Sequence, residues 1–336
     1  MSIQIDDTKS TYDATMLQQK LPLYSRALLN DFRRVAQSFV SFNALFALIL
    51  TFEVIGTIVA IPFFGRSVLI AICLSALFLT FFSYLVLSFY YSSQKPEQFF
   101  QIREQFLRSC RACVEEEVSF AEPLSNLADY LQNFEQHFYQ SSDFLRPFVS
   151  RISASFYRKD VFQMKQLLIQ GALQEQLHQI RIIPTDLELH AALAHNYTEL
   201  AQIYHDFLPF EHSSRRKREL QRYFQVATNG ALEEFRILND YAPNDPWIHE
   251  QIASGYRALG QKEKEIQELE ILRTLRPQDA EMLFRLGTLY FESNSPSNGL
   301  RIYDALRLLH IKKAEELIAF YGHQTLPFSI LPSLEK

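Results

Sequence analysis

The residues best suited to chemistry in this chain are few and widely spaced. Glu53 lies near the middle of a long apolar run, where an ionised carboxylate is costly and usually marks function. Cys110 and Cys113 form a C-x-x-C pair, the spacing of many metal and redox sites, but no second pair or nearby histidine accompanies them. His190 and His195 are five residues apart and do not share one helix face. We therefore predict no metal, no cofactor and no enzyme activity.

The composition narrows the class of protein further. Three cysteines cannot form an even disulfide framework, which indicates a reducing compartment. A net charge of −5 without a long basic face argues against nucleic-acid binding. Glycine is scarce and proline is confined to boundaries, which favours long helices over a sheet. The polar part of the chain is therefore predicted to be all-α.

Glu53 lies in the first of two long apolar runs near the N-terminus. They are Phe39–Phe64 and Val68–Tyr91, separated by Gly65 and Arg66. A bilayer core about 30 Å thick needs roughly 20 apolar residues in a helix, and both runs are longer than that. The sequence predicts a two-helix transmembrane hairpin over residues 39–92.

Basic residues flank the hairpin on both sides, whereas its short turn contains only Arg66. This distribution predicts a two-pass integral membrane protein with both termini in the cytoplasm. The flanking cations are Lys20, Arg26, Arg33 and Arg34 before the hairpin and Lys95, Arg103, Arg108 and Arg111 after it.

Glu53 has two interpretations. As a protonated acid it would bond a hydroxyl such as Ser75, or the same residue of a second copy in a homo-oligomer. Alternatively, an oligomer of hairpins would use it in transport. The preceding stretch, Leu23–Phe39, has apolar residues at helical spacing, which predicts either an amphipathic helix on the lipid headgroups or an extension of the first membrane helix.

A repeat organises the C-terminal half. The sequence Pro-x-Asp occurs at Pro184–Asp186, Pro243–Asp245 and Pro277–Asp279, and the residues after each aspartate follow one pattern. A large residue, a second three positions on, a small residue next to it and a tyrosine three further would share one helix face. The matching sets are His190, Leu193, Ala194 and Tyr197; His249, Ile252, Ala253 and Tyr256; and Leu283, Leu286, Gly287 and Tyr290.

These positions resemble the tetratricopeptide repeat (TPR), best over Pro246–Pro277. The pattern departs at Glu265, where the family prefers a small residue, and the first unit is longer than one repeat. Lys312–Phe320 is predicted to close the array. The predicted regions are an N-terminal arm (1–38), the hairpin (39–92), a helical region (93–183), TPR-like repeats with the closing helix forming an α-solenoid (184–323) and a tail (324–336).

The resemblance implies an adaptor or scaffold that binds a protein or peptide on a concave wall formed by the first helix of each unit. The wall residues that it implies are Glu188, His195, Trp247, Glu250, Arg257, Glu281, Phe284 and Phe291. A separate basic cluster is predicted either to contact membrane lipid or an acidic partner, or to be a solvated helix start. The cluster comprises Arg215, Arg216, Lys217, Arg218 and Arg222.

A second resemblance points to another class of protein. The two adjacent apolar runs are similar to the hairpin of chlamydial inclusion-membrane proteins, which are bacterial effectors secreted into a host-derived membrane. This similarity implies an effector that acts on host proteins from the inclusion membrane. The membrane that carries the protein separates this alternative from the adaptor.

Overall fold

The computed structural model describes residues 7–64, 68–113, 119–138 and 146–325. These residues form eleven α-helices and one 3-10 turn, and no strand occurs in the described ranges, which confirms the all-α prediction. The chain divides into two compact units, Met1–Gln176 (unit 1) and Leu177–Lys336 (unit 2).

Four helices begin in unit 1: α1 (Asp7–Phe64), α2 (Val68–Arg111), α3 (Ala121–Phe138) and α4 (Arg146–Ile182). The first four helices that begin in unit 2 are α5 (Leu187–Phe207), α6 (Ser214–Tyr241), α7 (Pro246–Ala258) and α8 (Lys262–Leu275). They are followed by α9 (Ala280–Glu292), α10 (Pro296–Leu309) and α11 (Ile311–Thr325). The predicted turn at Gly65 and Arg66 and most of the predicted tail lie outside the described residues.

α1 and α2 form an antiparallel hairpin. Thr80 on α2 meets Glu53 on α1, and farther along α2 the ring of Phe99 meets Phe32, with centroids 5.3 Å apart. The helices contain 58 and 44 residues. At 1.5 Å per residue they are about 87 and 66 Å long, against roughly 30 Å for a bilayer core. A hairpin of this length extends outside any bilayer that it crosses.

Both helices are long and apolar enough to cross a membrane. Gln19–Val59 and Ala71–Arg111 contain 18-residue windows with mean hydropathies of 2.0 and 2.2, and neither window is buried inside the protein. Phe52 and Phe78, for example, are each 69% exposed. Contiguous apolar surface of this kind is typical of a membrane or protein contact site.

Polar side chains inside the apolar segments are bonded between the two helices. Tyr84 donates its hydroxyl to Asn43 Oδ1 at 3.0 Å, and Thr80 donates to Glu53 Oε1 at 2.8 Å. Interhelical hydrogen bonds of this type contribute to helix association in lipid. The partner of Glu53 is therefore Thr80 rather than the predicted Ser75. Its second oxygen, Oε2, is buried without a hydrogen-bond partner among the described residues.

Most of the apolar face of Leu23–Phe39 is covered from within the protein, which argues against the predicted position on lipid headgroups. The stretch is part of α1: Phe32 is buried beside Phe99, and Lys95 Nζ lies 4.1 Å above the ring of Phe39, whereas Leu23 is 63% exposed. Apolar surface that is already removed from water gains little from entering lipid. The segment continues α1 without a break, as the alternative prediction of an extended first helix states.

A buried ion pair joins α2 to α4 beyond the apolar run of α2. Lys95 Nζ lies 2.5 Å from Asp160 Oδ2, and the two residues are only 8% and 4% exposed. The same ammonium contacts the Phe39 ring of α1. Farther along α2, Arg103 donates to the backbone carbonyl of Leu167 at 3.3 Å. Because a buried charge needs a partner, these contacts couple the hairpin to α4.

The Pro-x-Asp sequences of unit 2 start helices. Asp186, Asp245 and Asp279 occupy the N-cap positions of α5, α7 and α9, and their side chains accept backbone N–H bonds of 2.9 to 3.2 Å. An aspartate N-cap satisfies amides that the helix leaves unpaired. The motif therefore precedes the first helix of each unit because its aspartate caps that helix.

Ten of the twelve aligned positions of these three helices are buried, and Tyr197 and Tyr290 are half-buried, which confirms the predicted shared face. Each helix of unit 2 packs against the next one in sequence, and α9 also contacts α11. At Gly287 a Cβ atom would lie 2.6 Å from Leu317 Cδ2, so the small residue permits α11 to approach. The buried aligned residues are His190, Leu193, Ala194, His249, Ile252, Ala253, Tyr256, Leu283, Leu286 and Gly287.

Candidate partner-binding groove

Two adjacent cavities lie on unit 2. The first, of about 410 Å³, is lined by α5, α6 and α7, and the second, of about 450 Å³, is lined by α7, α8 and α9 together with the turn before α9. Gln251, Ser254 and Arg257 of α7 line both. The two cavities therefore meet along α7, and together they are called the groove below.

Half of the predicted wall residues line the groove. Glu250, Arg257, Glu281 and Phe284 all border the second cavity, and Phe284 also packs against the core formed by α8 to α11. The charges at the rim are paired: Arg276 reaches Glu250 at 3.4 Å, and Lys313 of α11 pairs with Glu281. Since both carboxylates are exposed, these ion pairs contribute little to stability and leave the rim adjustable.

The remaining predicted residues lie outside both cavities. Glu188 and His195 are exposed on α5, and His195 Nε2 lies 3.2 Å from Glu199. Trp247 is 46% exposed, with its indole edge-on to the ring of Phe235 at 5.7 Å between centroids. Trp247 thus packs against Phe235 and is also partly exposed to solvent.

The prediction that Phe291 lines an accessible wall is wrong in this structure. Phe291 is buried and stacks on Tyr321 of α11, with ring centroids 4.3 Å apart. Gly299 also lies so close that a Cβ atom there would be 2.4 Å from the Phe291 ring. The repeat pattern placed this residue on the wall, but α10 and α11 cover it.

Glu265 is the centre of a charged cluster behind the second cavity. It is 1% exposed, and Arg285 binds it with two bonds, Nε to Oε1 at 2.8 Å and a terminal nitrogen to Oε2 at 2.9 Å. Arg257 Nε donates to the same Oε1 at 2.8 Å. Bidentate guanidinium binding of this kind is strong and geometrically specific. The departure from the repeat pattern at residue 265 therefore fixes two arginines that line the groove.

The protonation of Glu265 follows from these contacts. Burial alone would raise the pKa of the carboxyl group, but the hydrogen bonds from Arg285 and Arg257, together with their charges, outweigh it and hold the pKa below its usual range. Glu265 is therefore a carboxylate at neutral pH. The arginines in turn keep a fixed orientation along the groove.

Two buried histidines of unit 2, His190 and His249, have the same arrangement of contacts. His249 Nδ1 lies 2.7 Å from Glu268 Oε2, and Nε2 lies 2.9 Å from the backbone carbonyl of Pro243. His190 has the same contacts with its own second helix and its own Pro-x-Asp turn, at 2.6 and 3.0 Å. In the third unit Leu283 replaces the histidine. The two histidines therefore tie each Pro-x-Asp turn to the second helix of its unit.

Both rings are in environments that favour the charged form. A carbonyl oxygen only accepts, so Nε2 carries a hydrogen, and a protonated ring also donates from Nδ1 to the carboxylate. Burial alone would lower the pKa of His249, but its bonds to Glu268 and Pro243 and the charges of Glu268 and Asp245 outweigh it and raise the pKa. The pKa of His190 is raised by the equivalent contacts.

These histidines predict a pH dependence of stability. A pKa raised on folding adds stability that is complete below the unfolded value of about 6.5 and is lost as pH rises through the folded value. We expect His249→Gln to remove about 2 kcal/mol near pH 6, the range of a charge-assisted hydrogen bond, and less at alkaline pH. Urea unfolding of the full chain in detergent, followed by the fluorescence of its single tryptophan, Trp247, measures this. The exposed His212→Gln is the control, and equal losses at all pH values would contradict the prediction.

Several groove residues were not predicted from the sequence. Gln251 and Ser254 lie on the groove face of α7 between Glu250 and Arg257, and Gln202 of α5 lines the first cavity. For Ser254 the available signal was its spacing, four residues after Glu250 and three before Arg257. Arg285 is four residues after the predicted Glu281, but this spacing could not reveal its role, because that role depends on the buried carboxylate of Glu265 on another helix.

The chain was also compared with known proteins. No family model matches it, and no curated protein sequence is significantly similar to it.

Proposed function

We propose that this protein is a membrane-anchored adaptor of the TPR type, which binds a peptide or helix of a protein partner in the groove. The groove is the observation that carries the proposal. It runs past α5, α7 and α9, the first helices of the three units, and α7 contributes Gln251, Ser254 and Arg257 to both of its cavities. An extended concave surface shared by successive units is the binding surface of helical-repeat proteins.

The lining of the groove fits a polypeptide ligand. Apolar side chains such as Phe235 and Phe284 lie beside amides and arginines, so apolar anchors and backbone carbonyls of a ligand would both find contacts. Arg257 and Arg285 are held in place by Glu265 before any ligand arrives. Preorganised side chains reduce the entropy lost on binding, which favours affinity.

In this proposal the hairpin anchors the protein in a membrane. Its basic flanks favour both termini in the cytoplasm, where unit 2 would meet cytoplasmic partners. The exposed apolar faces of α1 and α2 support insertion in a bilayer. The adaptor would thus hold its partner at a membrane surface.

A blocking substitution tests the groove. Ser254 is exposed and borders both cavities, so Ser254→Trp should fill the point where they meet without removing a described contact. We expect peptides selected from a random library on the wild-type full chain in nanodiscs to bind this variant at least tenfold more weakly, about 1.4 kcal/mol.

The matched control is Ser297→Trp, the same change at an exposed position on α10 that borders neither cavity. Binding should remain unchanged with this variant. Equal affinities of the selected peptides for the two variants would show that they bind elsewhere and would remove the basis of the proposal.

A further inference from the structure

We propose that α6 carries a second interaction surface, separate from the groove, which binds the anionic surface of a lipid bilayer. Arg215, Arg218 and Arg222 form this surface, called the basic face below. At 100° per residue their positions lie within about 60° of one another around the helix. All three side chains are exposed.

The basic face lies opposite the side of α6 that enters the core. Leu220, Ala227 and Ala231 are buried on the inner side, and Ala231 belongs to the core that α6 shares with α5 and α7. None of the three arginines lines either cavity. A ligand of the groove and a surface bound to the basic face would therefore not compete for the same residues.

The start of α6 has an excess of positive charge that its carboxylates do not neutralise. Residues 211–226 contain five arginines and lysines against two glutamates. Arg215 is 3.5 Å from Glu219, and Arg216 is 3.6 Å from Glu211. Arg218 and Arg222 form no ion pair among the described residues. The charge available to a partner is thus greatest on the basic face.

The cations at the N-terminus of α6 lie where the helix dipole disfavours positive charge. The N-terminus of a helix carries a partial positive charge, which favours acidic residues in the first turn. α5, α8 and α9 follow that rule with Glu188, Glu263 and Glu281, whereas the first turn of α6 has no acidic residue and contains Arg215 and Arg216. The first turns of α7, α10 and α11 also lack an acidic residue. The cations at the start of α6 therefore do not stabilise this helix through its dipole.

Exposed apolar side chains border the basic face and favour lipid over an acidic protein. Val226, one turn after Arg222, is 64% exposed, and Tyr223 and Phe210 are also exposed. Cations interleaved with exposed apolar and aromatic side chains match the boundary between headgroups and acyl chains. A bilayer needs no shaped cavity, and the three arginines line neither cavity of the groove. The hairpin of the same chain also raises the local concentration of membrane.

The test uses the full chain in nanodiscs of neutral phosphatidylcholine, mixed with vesicles that contain phosphatidylglycerol. Each cation near an anionic surface contributes about 1 kcal/mol, or about fivefold in partitioning. We expect the triple variant Arg215→Gln, Arg218→Gln, Arg222→Gln to co-float with these vesicles about 100-fold more weakly than the wild type, as the product of three such factors. Binding should also fall when salt reaches about 1 M, where the Debye length is about 3 Å.

The matched control removes three exposed cations from α10 and α11, by Arg301→Gln, Arg307→Gln and Lys312→Gln. This variant should bind the vesicles as the wild type does. Equal losses in the two triple variants would reveal a general effect of net charge and would overturn the proposal, as would equal binding to pure phosphatidylcholine vesicles. If the wild type ignores anionic vesicles but binds polyglutamate through the basic face, the surface recognises acidic protein and the proposal fails.

Discussion

Replacing Asp160 with alanine should lower the free energy of unfolding of unit 1 by about 3–5 kcal/mol, because it leaves the Lys95 ammonium buried without its counter-charge. Lys95 and Asp160 are almost inaccessible to solvent, and the ammonium also lies against the Phe39 ring. Removing one partner of such a pair exposes the full desolvation cost of the other. Denaturant unfolding of the full chain in detergent, followed by far-ultraviolet circular dichroism, measures the loss.

A second ion pair between α2 and α4 supplies the control. Arg111 and Glu175 join the same two helices at 2.5 Å, but the Arg111 side chain is well exposed. Glu175→Ala should therefore cost less than about 1 kcal/mol. Equal losses from the two alanine substitutions would contradict the view that burial makes the Asp160 pair critical.

The double substitution Lys95→Met with Asp160→Leu separates the charge from the packing. Replacing a buried ion pair by apolar side chains of similar volume is often neutral or stabilising. We therefore expect the double variant to recover most of the stability that Asp160→Ala loses. If the double variant recovers its stability, packing alone is enough to hold the hairpin against α4. If it does not, the ion pair itself is required. Hydrogen exchange of α2 and α4 amides reports that coupling.

Replacing Arg285 with methionine should destabilise unit 2 by about 3 kcal/mol, because Glu265 is buried and would keep only the single bond from Arg257. Arg285 provides two of the three described bonds to this carboxylate. Arg257→Met should cost about 1 kcal/mol, since its guanidinium is half exposed and makes one bond to Glu265. Urea unfolding reported by Trp247 fluorescence compares the two variants.

The pH profile of the Arg285→Met variant distinguishes a lost charge partner from lost packing. Glu265 has a depressed pKa in the native protein, so its contribution is present above the unfolded pKa of about 4.3 and disappears as pH falls through the folded value. Without Arg285 the carboxylate is no longer held in its charged form, and the destabilisation should shrink as pH falls toward 4. The exposed Arg307→Met is the control, expected within about 0.5 kcal/mol of the wild type. A loss that stays constant down to pH 4 would indicate packing instead.

This second prediction also bears on the groove. Arg257 and Arg285 line the second cavity, and both are oriented by Glu265. If preorganisation matters, Glu265→Gln should weaken a groove ligand even when the variant stays folded, because a neutral amide cannot hold two guanidinium groups as a carboxylate does.

Local sequence patterns determined much of the helical framework. The Pro-x-Asp turns were visible because an aspartate satisfies the first amides of a helix within three residues of itself. The buried face of α5, α7 and α9 was visible because helical periodicity places positions three and four apart on one side. The length of the two apolar runs alone indicated that α1 and α2 are candidate membrane helices. Each of these features depends on residues that are close in sequence.

The tertiary structure decided which residues are partners across the chain. Lys95 and Asp160 are 65 residues apart, and Glu265 meets Arg285 on the next helix. It also buried Phe291 beneath α11, although the repeat pattern placed it on an open wall. Helical periodicity predicts which side of its own helix a residue occupies, but it does not predict which other segment covers that side. The sequence by itself therefore determined the helices and their inner sides, whereas the ion pairs and the open part of the groove depend on distant segments that only packing brings together.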